Sequence, residues 1–187
     1  GGKRLVRIVD DGEGMSPQDA LLAIERHATS KIRSAGDLAA ILTLGFRGEA
    51  LPSIASVSRF TMRTRARGAT SGTEVVVHGG ALQHVREVGA AEGTVIEVAD
   101  LFHNLPARRK FLKADSAESA QTTKLVTQIA LAYPEVGVRL ESAGRRVLDC
   151  PPVETWRERF FQLYGDRPDL VPVSRESSSL RIHGLVA

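Results

Sequence analysis

Apolar and polar residues alternate from Leu5 to Val9, and the run closes on Asp10-Asp11-Gly12-Glu13-Gly14. This predicts a strand that ends in a tight glycine loop. Ser16 then occupies a helix-cap position, with Pro17 suited to the first helical residue and Asp19 three places after the cap. Leu21, Leu22, Ile24 and Ala28 continue as an apolar stripe. A short helix is expected from Asp37 to Leu42, then a glycine loop at Gly45–Gly48, and Pro52 falls in the first turn of the next helix. Ser58–Thr64, Thr73–His78, Leu82–Val88 and Gly93–Val98 read as strands, separated by turns at Gly68–Gly72 and Gly79-Gly80. Tight turns between consecutive strands predict an antiparallel meander.

The longest helical pattern runs from Ser116 to Tyr133, with Leu125, Val126, Ile129 and Ala130 expected on its buried side and Pro134 as its stop. Val136–Glu141 and Arg145–Asp149 predict a hairpin around Gly144, and Thr155 caps a last helix that runs to Tyr164. From Val171 onward two strand patterns flank Ser177-Ser178-Ser179. Helices before and after an antiparallel sheet imply an α+β fold, a two-layer sandwich with helices packed on one sheet face.

With 187 residues, 42% of them apolar, the chain can build one full domain and part of another. A net charge of +3 permits contact with nucleic acid without requiring it. Cys150 is the lone cysteine, so no internal disulfide forms, and no Cys/His cluster has metal-ligand spacing. A reducing, cytoplasmic setting is the simple expectation, and no apolar run reaches membrane-spanning length. The chain enters directly on a strand pattern and stops on another, so a piece of a longer protein is expected.

Three polar junctions suggest a nucleotide site: Asp10–Gly14, Arg26-His27-Ala28-Thr29-Ser30-Lys31, and Gly45-Phe46-Arg47-Gly48-Glu49-Ala50-Leu51. Exposed backbone N–H groups at a loop entering a helix attract phosphate. Neither G-x-x-x-x-G-K-[ST] nor G-x-G-x-x-G occurs, so the P-loop and the dinucleotide fingerprint are both excluded.

Together these residues carry a family pattern. Val9–Met15 resembles the D-x-G-x-G motif of the GHKL (Bergerat-fold) ATPases. Gly45–Leu51 is similar to the lid motif of the MutL mismatch-repair branch. Arg26–Ile32 and Asp100–Leu112 also resemble that branch, although the latter has His103 and Leu105 where Phe-Tyr-Asn-Thr-Pro is usual. The resemblance spans essentially the whole chain. It implies a GHKL ATPase domain over residues 1–168, with a mostly antiparallel, mixed sheet, and the first strand of a following ribosomal-S5-like domain at 169–187.

It also implies ATP as cofactor, with Asp10, Gly12, Gly14, Leu22, Thr29, Ser30, Gly45, Arg47, Gly48, Ala50, Leu51 and Thr94 as nucleotide-binding residues. A carboxylate accepts hydrogen bonds only, so Asp10 suits the exocyclic amine of adenine; the alternative is a surface Asp opening a turn. Thr94 is either the family threonine that reaches adenine through water or an ordinary strand residue. Arg47 either meets phosphate or clamps the lid. No catalytic residue is assigned, since the general-base Glu and the Mg²⁺-binding Asn belong to a first motif without a counterpart here; these 187 residues alone are expected not to hydrolyse ATP.

Arg108, Arg109, Lys110 and Lys113 form a basic cluster, either a solvated face or a non-specific contact for single- or double-stranded DNA. No aromatic platform for single strands is evident, with aromatics at 5% of the chain. The partners implied are a second copy of the chain, a MutS-type mismatch sensor, a nuclease and DNA, in a bacterial-type, nucleoid-associated cytosol. Two competing readings are another Bergerat-fold ATPase, of topoisomerase or chaperone type, and a DNA-binding or interaction module indifferent to nucleotide.

Overall fold

Strand β1 (Leu5–Asp10) pairs along its full length with a strand nearly ninety residues later, β5 (Gly93–Ala99), and so fixes one edge of the sheet. The computed structural model describes residues 1–25, 48–178 and 180–186. It divides into two compact units, Gly2–Lys113 and Ala114–Ala187.

In the first unit the described residues form a five-stranded sheet in the order β1-β5-β2-β3-β4. The remaining strands are β2 (Arg59–Arg65), β3 (Gly72–His78) and β4 (Ala81–Val88), and every neighbouring pair is antiparallel. The meander holds for β2, β3 and β4. β5 departs from it: the chain returns across the sheet to lie on the far side of β2, giving a Greek-key order. The crossing is short but feasible, since the five steps from Val88 to Gly93 reach about 17 Å and three strand spacings need about 14 Å.

The paired registers align side chains on one face into rows that cross all five strands. Val6, Val98, Phe60, Val77 and Leu82 form one row, and Ile8, Ile96, Met62, Val75 and Val85 the next. Phe60, Met62 and Val75 are fully buried there with Ala20 of helix α1 (Pro17–Leu22) and beside Ala55 of helix α2 (Ala50–Ala55). Ser16 caps α1 as expected, its Oγ accepting from Asp19 N–H at 3.1 Å. The stripe differs from expectation: Ala20, Ala23 and Ile24 face the core, while Leu21 and Leu22 are exposed.

The opposite face carries alternating charge. Arg7 reaches Glu97 at 3.4 Å, Glu97 reaches Arg63 at 3.6 Å, and Glu74 receives Arg63, Arg86 and His84.

In the second unit, helix α3 lies outside (Pro106–Arg109 belongs to the first unit) and helix α4 (Asp115–Ala132) is followed by the hairpin β6 (Val138–Ser142)/β7 (Arg145–Cys150). Helix α5 (Trp156–Tyr164) starts with a capping box between Thr155 and Glu158. β8 (Val171–Glu176) and β9 (Arg181–Val186) pair as a further hairpin. On α4, Ala130 is fully buried, but Leu125 and Ile129 are exposed, contrary to the expected stripe.

Candidate nucleotide site

The two apolar rows give way to a third that is polar throughout. Asp10, Thr94, Thr64, Thr73 and Glu87 stand at one level on β1, β5, β2, β3 and β4, on the same face as the core. Thr64, Thr73 and Thr94 are buried, whereas Asp10 is exposed at the edge. Hydroxyls in such a position require partners, because a buried polar group without one is costly. Thr64 Oγ1 supplies them: it accepts from Met15 N–H at 2.9 Å, donates to the Gly93 carbonyl at 3.1 Å and lies 3.1 Å from Thr94 Oγ1.

These contacts hold the Asp10–Met15 loop against the ends of β2 and β5. Asp10 Oδ1 accepts from Gly12 N–H at 3.0 Å, and Glu13 O accepts from Arg67 N–H at 2.9 Å. Gly14 has φ +65° and Gly93 has φ +99°, both in the left-handed region. A Cβ at Gly14 would overlap the Arg65 carbonyl, and one at Gly93 would overlap the Asp10 carbonyl. The glycines therefore permit backbone to approach backbone directly beneath Asp10. A carboxylate, a buried hydroxyl pair and a close-packed glycine loop at a sheet end offer hydrogen-bond acceptors to a ligand whose edge donates.

Of the residues singled out in the sequence, Asp10, Gly12, Gly14 and Thr94 come together here. Leu22 lies at the end of α1 and is 49% exposed. Gly48, with φ +62°, precedes α2, which begins with Ala50 and a half-buried Leu51 packed on the core. Thr29, Ser30, Gly45 and Arg47 lie outside the described residues, as do the rest of Arg26–Ile32 and the expected Asp37–Leu42 helix. Thr64 was not singled out; the signal for it lies in the register of β2 against β5, which no local pattern carries.

The basic cluster stands apart from this row in sequence. Arg108 and Arg109 are on α3, Lys110 caps it, and Lys113 follows, all of them exposed. Phe111 among them is 86% exposed. Among the described residues no group of His, Cys, Asp and Glu could hold a metal ion, and no helix is long and apolar enough to cross a membrane.

No family model matches the chain. It is 52% identical over 178 residues to the DNA mismatch repair protein MutL of Acidobacterium capsulatum, covering 94% of this chain and 27% of that protein. It is 50% identical over 188 aligned positions to the MutL of Opitutus terrae, covering 100% of this chain and 30% of that protein. The chain thus spans less than a third of the length of these relatives. Among solved structures it is similar to the Aquifex aeolicus MutL ATPase domain complexed with ADP, with TM-score 0.73 and 33% identity over 92% of this chain and 61% of that one. A second structure of that ATPase domain gives TM-score 0.72 and 31% identity, covering 99% and 62%.

Proposed function

The chain belongs to the MutL family of DNA mismatch repair proteins, and we propose that its first unit forms the adenine pocket of an ATPase whose cycle couples mismatch recognition to strand incision. The observation that carries this reading is the polar row ending in Asp10 above the Gly12–Gly14 loop. The Asp10 carboxylate accepts from the adenine 6-amino group, which guanine, with an oxygen there, cannot supply. Thr94 adds an acceptor beside it, while Gly12 and Gly14 let the base lie close to backbone. Leu22 flanks the pocket with apolar surface.

Thr29 and Ser30 are proposed to meet the phosphates, and Gly45, Arg47, Gly48, Ala50 and Leu51 to close over them, largely through backbone N–H groups. Bound nucleotide supplies the phosphoanhydride that is cleaved. The residues of this chain bind and cover it, and no step is assigned to a general base among them. Mg²⁺ is proposed to be held by an asparagine without a counterpart in residues 1–187, so no step here runs through it. The prediction is that these 187 residues bind nucleotide without turning it over.

Closure of the lid over nucleotide is proposed to complete a surface for a second copy of the chain, a switch set by phosphate contact. The resulting clamp would engage DNA, a MutS-type sensor and a nuclease. Arg108, Arg109, Lys110 and Lys113 are the proposed contacts to the DNA backbone. Residues 1–168 are proposed as the ATPase domain and 169–187 as the start of an S5-like domain.

Calorimetric binding of a non-hydrolysable ATP analogue tests the reading. Asp10→Asn places an amide donor beside the 6-amino group and is expected to abolish binding while leaving the melting temperature near that of the parent. Equal affinity in both proteins would remove Asp10 from the site. For the DNA contact, Arg109→Glu is expected to weaken binding at all sequences and to lower the salt slope by about 1; an unchanged slope would assign the cluster to a solvated face.

A further inference from the structure

Thr64 is fully buried, and its hydroxyl sits at the centre of three contacts. A threonine hydroxyl has one proton and two lone pairs. Two of the three contacts have fixed roles: Met15 N–H can only donate, and the Gly93 carbonyl can only accept. The single Thr64 proton is therefore committed to Gly93. For the third contact to form, Thr94 donates to Thr64, and both Thr64 lone pairs are then filled. This is the one proton arrangement that satisfies all three.

The consequence falls on Thr94. With its proton committed inward, it offers a ligand lone pairs alone. Its cross-strand neighbour on the other side is Asp10, with Cβ atoms about 5 Å apart in such a pair. Asp10 is likewise an acceptor, with Oδ1 already engaged by Gly12 N–H. Asp10 and Thr94 thus present two acceptors and no donor to the base.

We propose that Thr64 is a positioning residue that locks the Thr94 hydroxyl as an acceptor and thereby sharpens the preference for a purine with a 6-amino group over one with a 6-oxo group. This rests on the adenine-pocket reading above. Thr64 touches no ligand itself; it acts through Thr94. Without the Thr64 hydroxyl, Thr94 is free to rotate and donate to a 6-oxo group.

The test compares an ATP analogue with its inosine counterpart, which differs at the purine 6-position and the adjoining nitrogen, by competition binding to the full-length protein. Thr64→Val keeps the side-chain volume and removes the hydroxyl; it is expected to narrow the ratio of the two affinities by about tenfold. Thr64→Ser restores the hydroxyl and is expected to restore the ratio. If the valine variant does not fold, Thr64→Cys keeps the site filled while its thiol is a weak acceptor for the Thr94 proton, and it carries the same comparison. An unchanged ratio in the folded variant, even with both affinities reduced, would overturn the proposal and leave Thr64 a purely structural role. Failure of the parent protein to bind either nucleotide is a distinct result, and it would overturn the pocket together with the inference.

Discussion

Glu74 is 2% exposed on β3, and two arginines with a histidine surround its carboxylate. Burial raises its pKa, but hydrogen bonds from Arg63, His84 and Arg86 outweigh burial and hold it at about 2, below the ordinary 4.5. A depressed folded-state pKa means that the stabilisation is complete above the unfolded value. It is lost as pH falls from about 4.5 toward 2. Glu74→Gln is expected to cost on the order of 2 kcal/mol at pH 7, allowing for solvent screening of the half-exposed arginines. It should also flatten the acid limb of a melting-temperature profile between pH 5 and pH 2 (approximate limits set by the two pKa values); a profile parallel to the parent's would show that other carboxylates govern acid unfolding. Arg159 presents the reverse case. Fully buried on α5, it donates to the carbonyls of Pro134 at 2.7 Å, Val136 at 2.8 Å and Pro151 at 3.2 Å. These carbonyls close the segment after α4 and the end of β7; Pro134 O also accepts from Val153 N–H at 2.9 Å and Pro151 O from Gln162 Nε2 at 3.2 Å, whereas the Val136 carbonyl rests on the guanidinium. Arg159→Leu leaves the Val136 carbonyl without its donor and removes one donor from each of the other two, and is expected to destabilise the protein by about 2 kcal/mol in urea unfolding. A loss below about 1 kcal/mol would mean that water replaces the guanidinium.

Among the elements, those with local signals were legible in the sequence. Ser16-Pro17 started α1, Thr155 with Glu158 started α5, and the Gly79-Gly80 turn joined β3 to β4, because caps and turns are written in a few adjacent residues. The Asp10–Gly14 loop was legible for the same reason. What local pattern did not carry was pairing across long sequence distances. The return of β5 to the far side of β2 depends on register, and so does the meeting of Thr64 with Thr94 and Met15. The buried face of α4 was misassigned because Leu125 and Ile129 fit the same helical period as the residues that are buried. The loop also yields a prediction at this scale. Gly93→Ala places a Cβ against the Asp10 carbonyl at a φ that L-residues rarely adopt, so a loss of about 2 kcal/mol or more is expected, with nucleotide affinity falling alongside. A variant within about 0.5 kcal/mol of the parent would show that β1 and β5 yield easily at that point.

At the scale of the molecule, the first unit is a sheet with two dissimilar faces and a polar end. One face is apolar through two rows and packs against α1 and α2; the other is laced by ion pairs. The third row is where this division breaks, as the core side turns from valine and isoleucine to threonine and aspartate. The buried hydroxyls of this row are held by Met15 N–H and the Gly93 carbonyl, and the proposed nucleotide would use its Asp10 end. The most direct measurement is a crystal structure of the protein with a non-hydrolysable ATP analogue. The account predicts the adenine 6-amino nitrogen within hydrogen-bond distance of the Asp10 carboxylate, with Thr94 beside it and still bonded to Thr64. A nucleotide bound elsewhere, or a base whose 6-position faces away from Asp10, would contradict it.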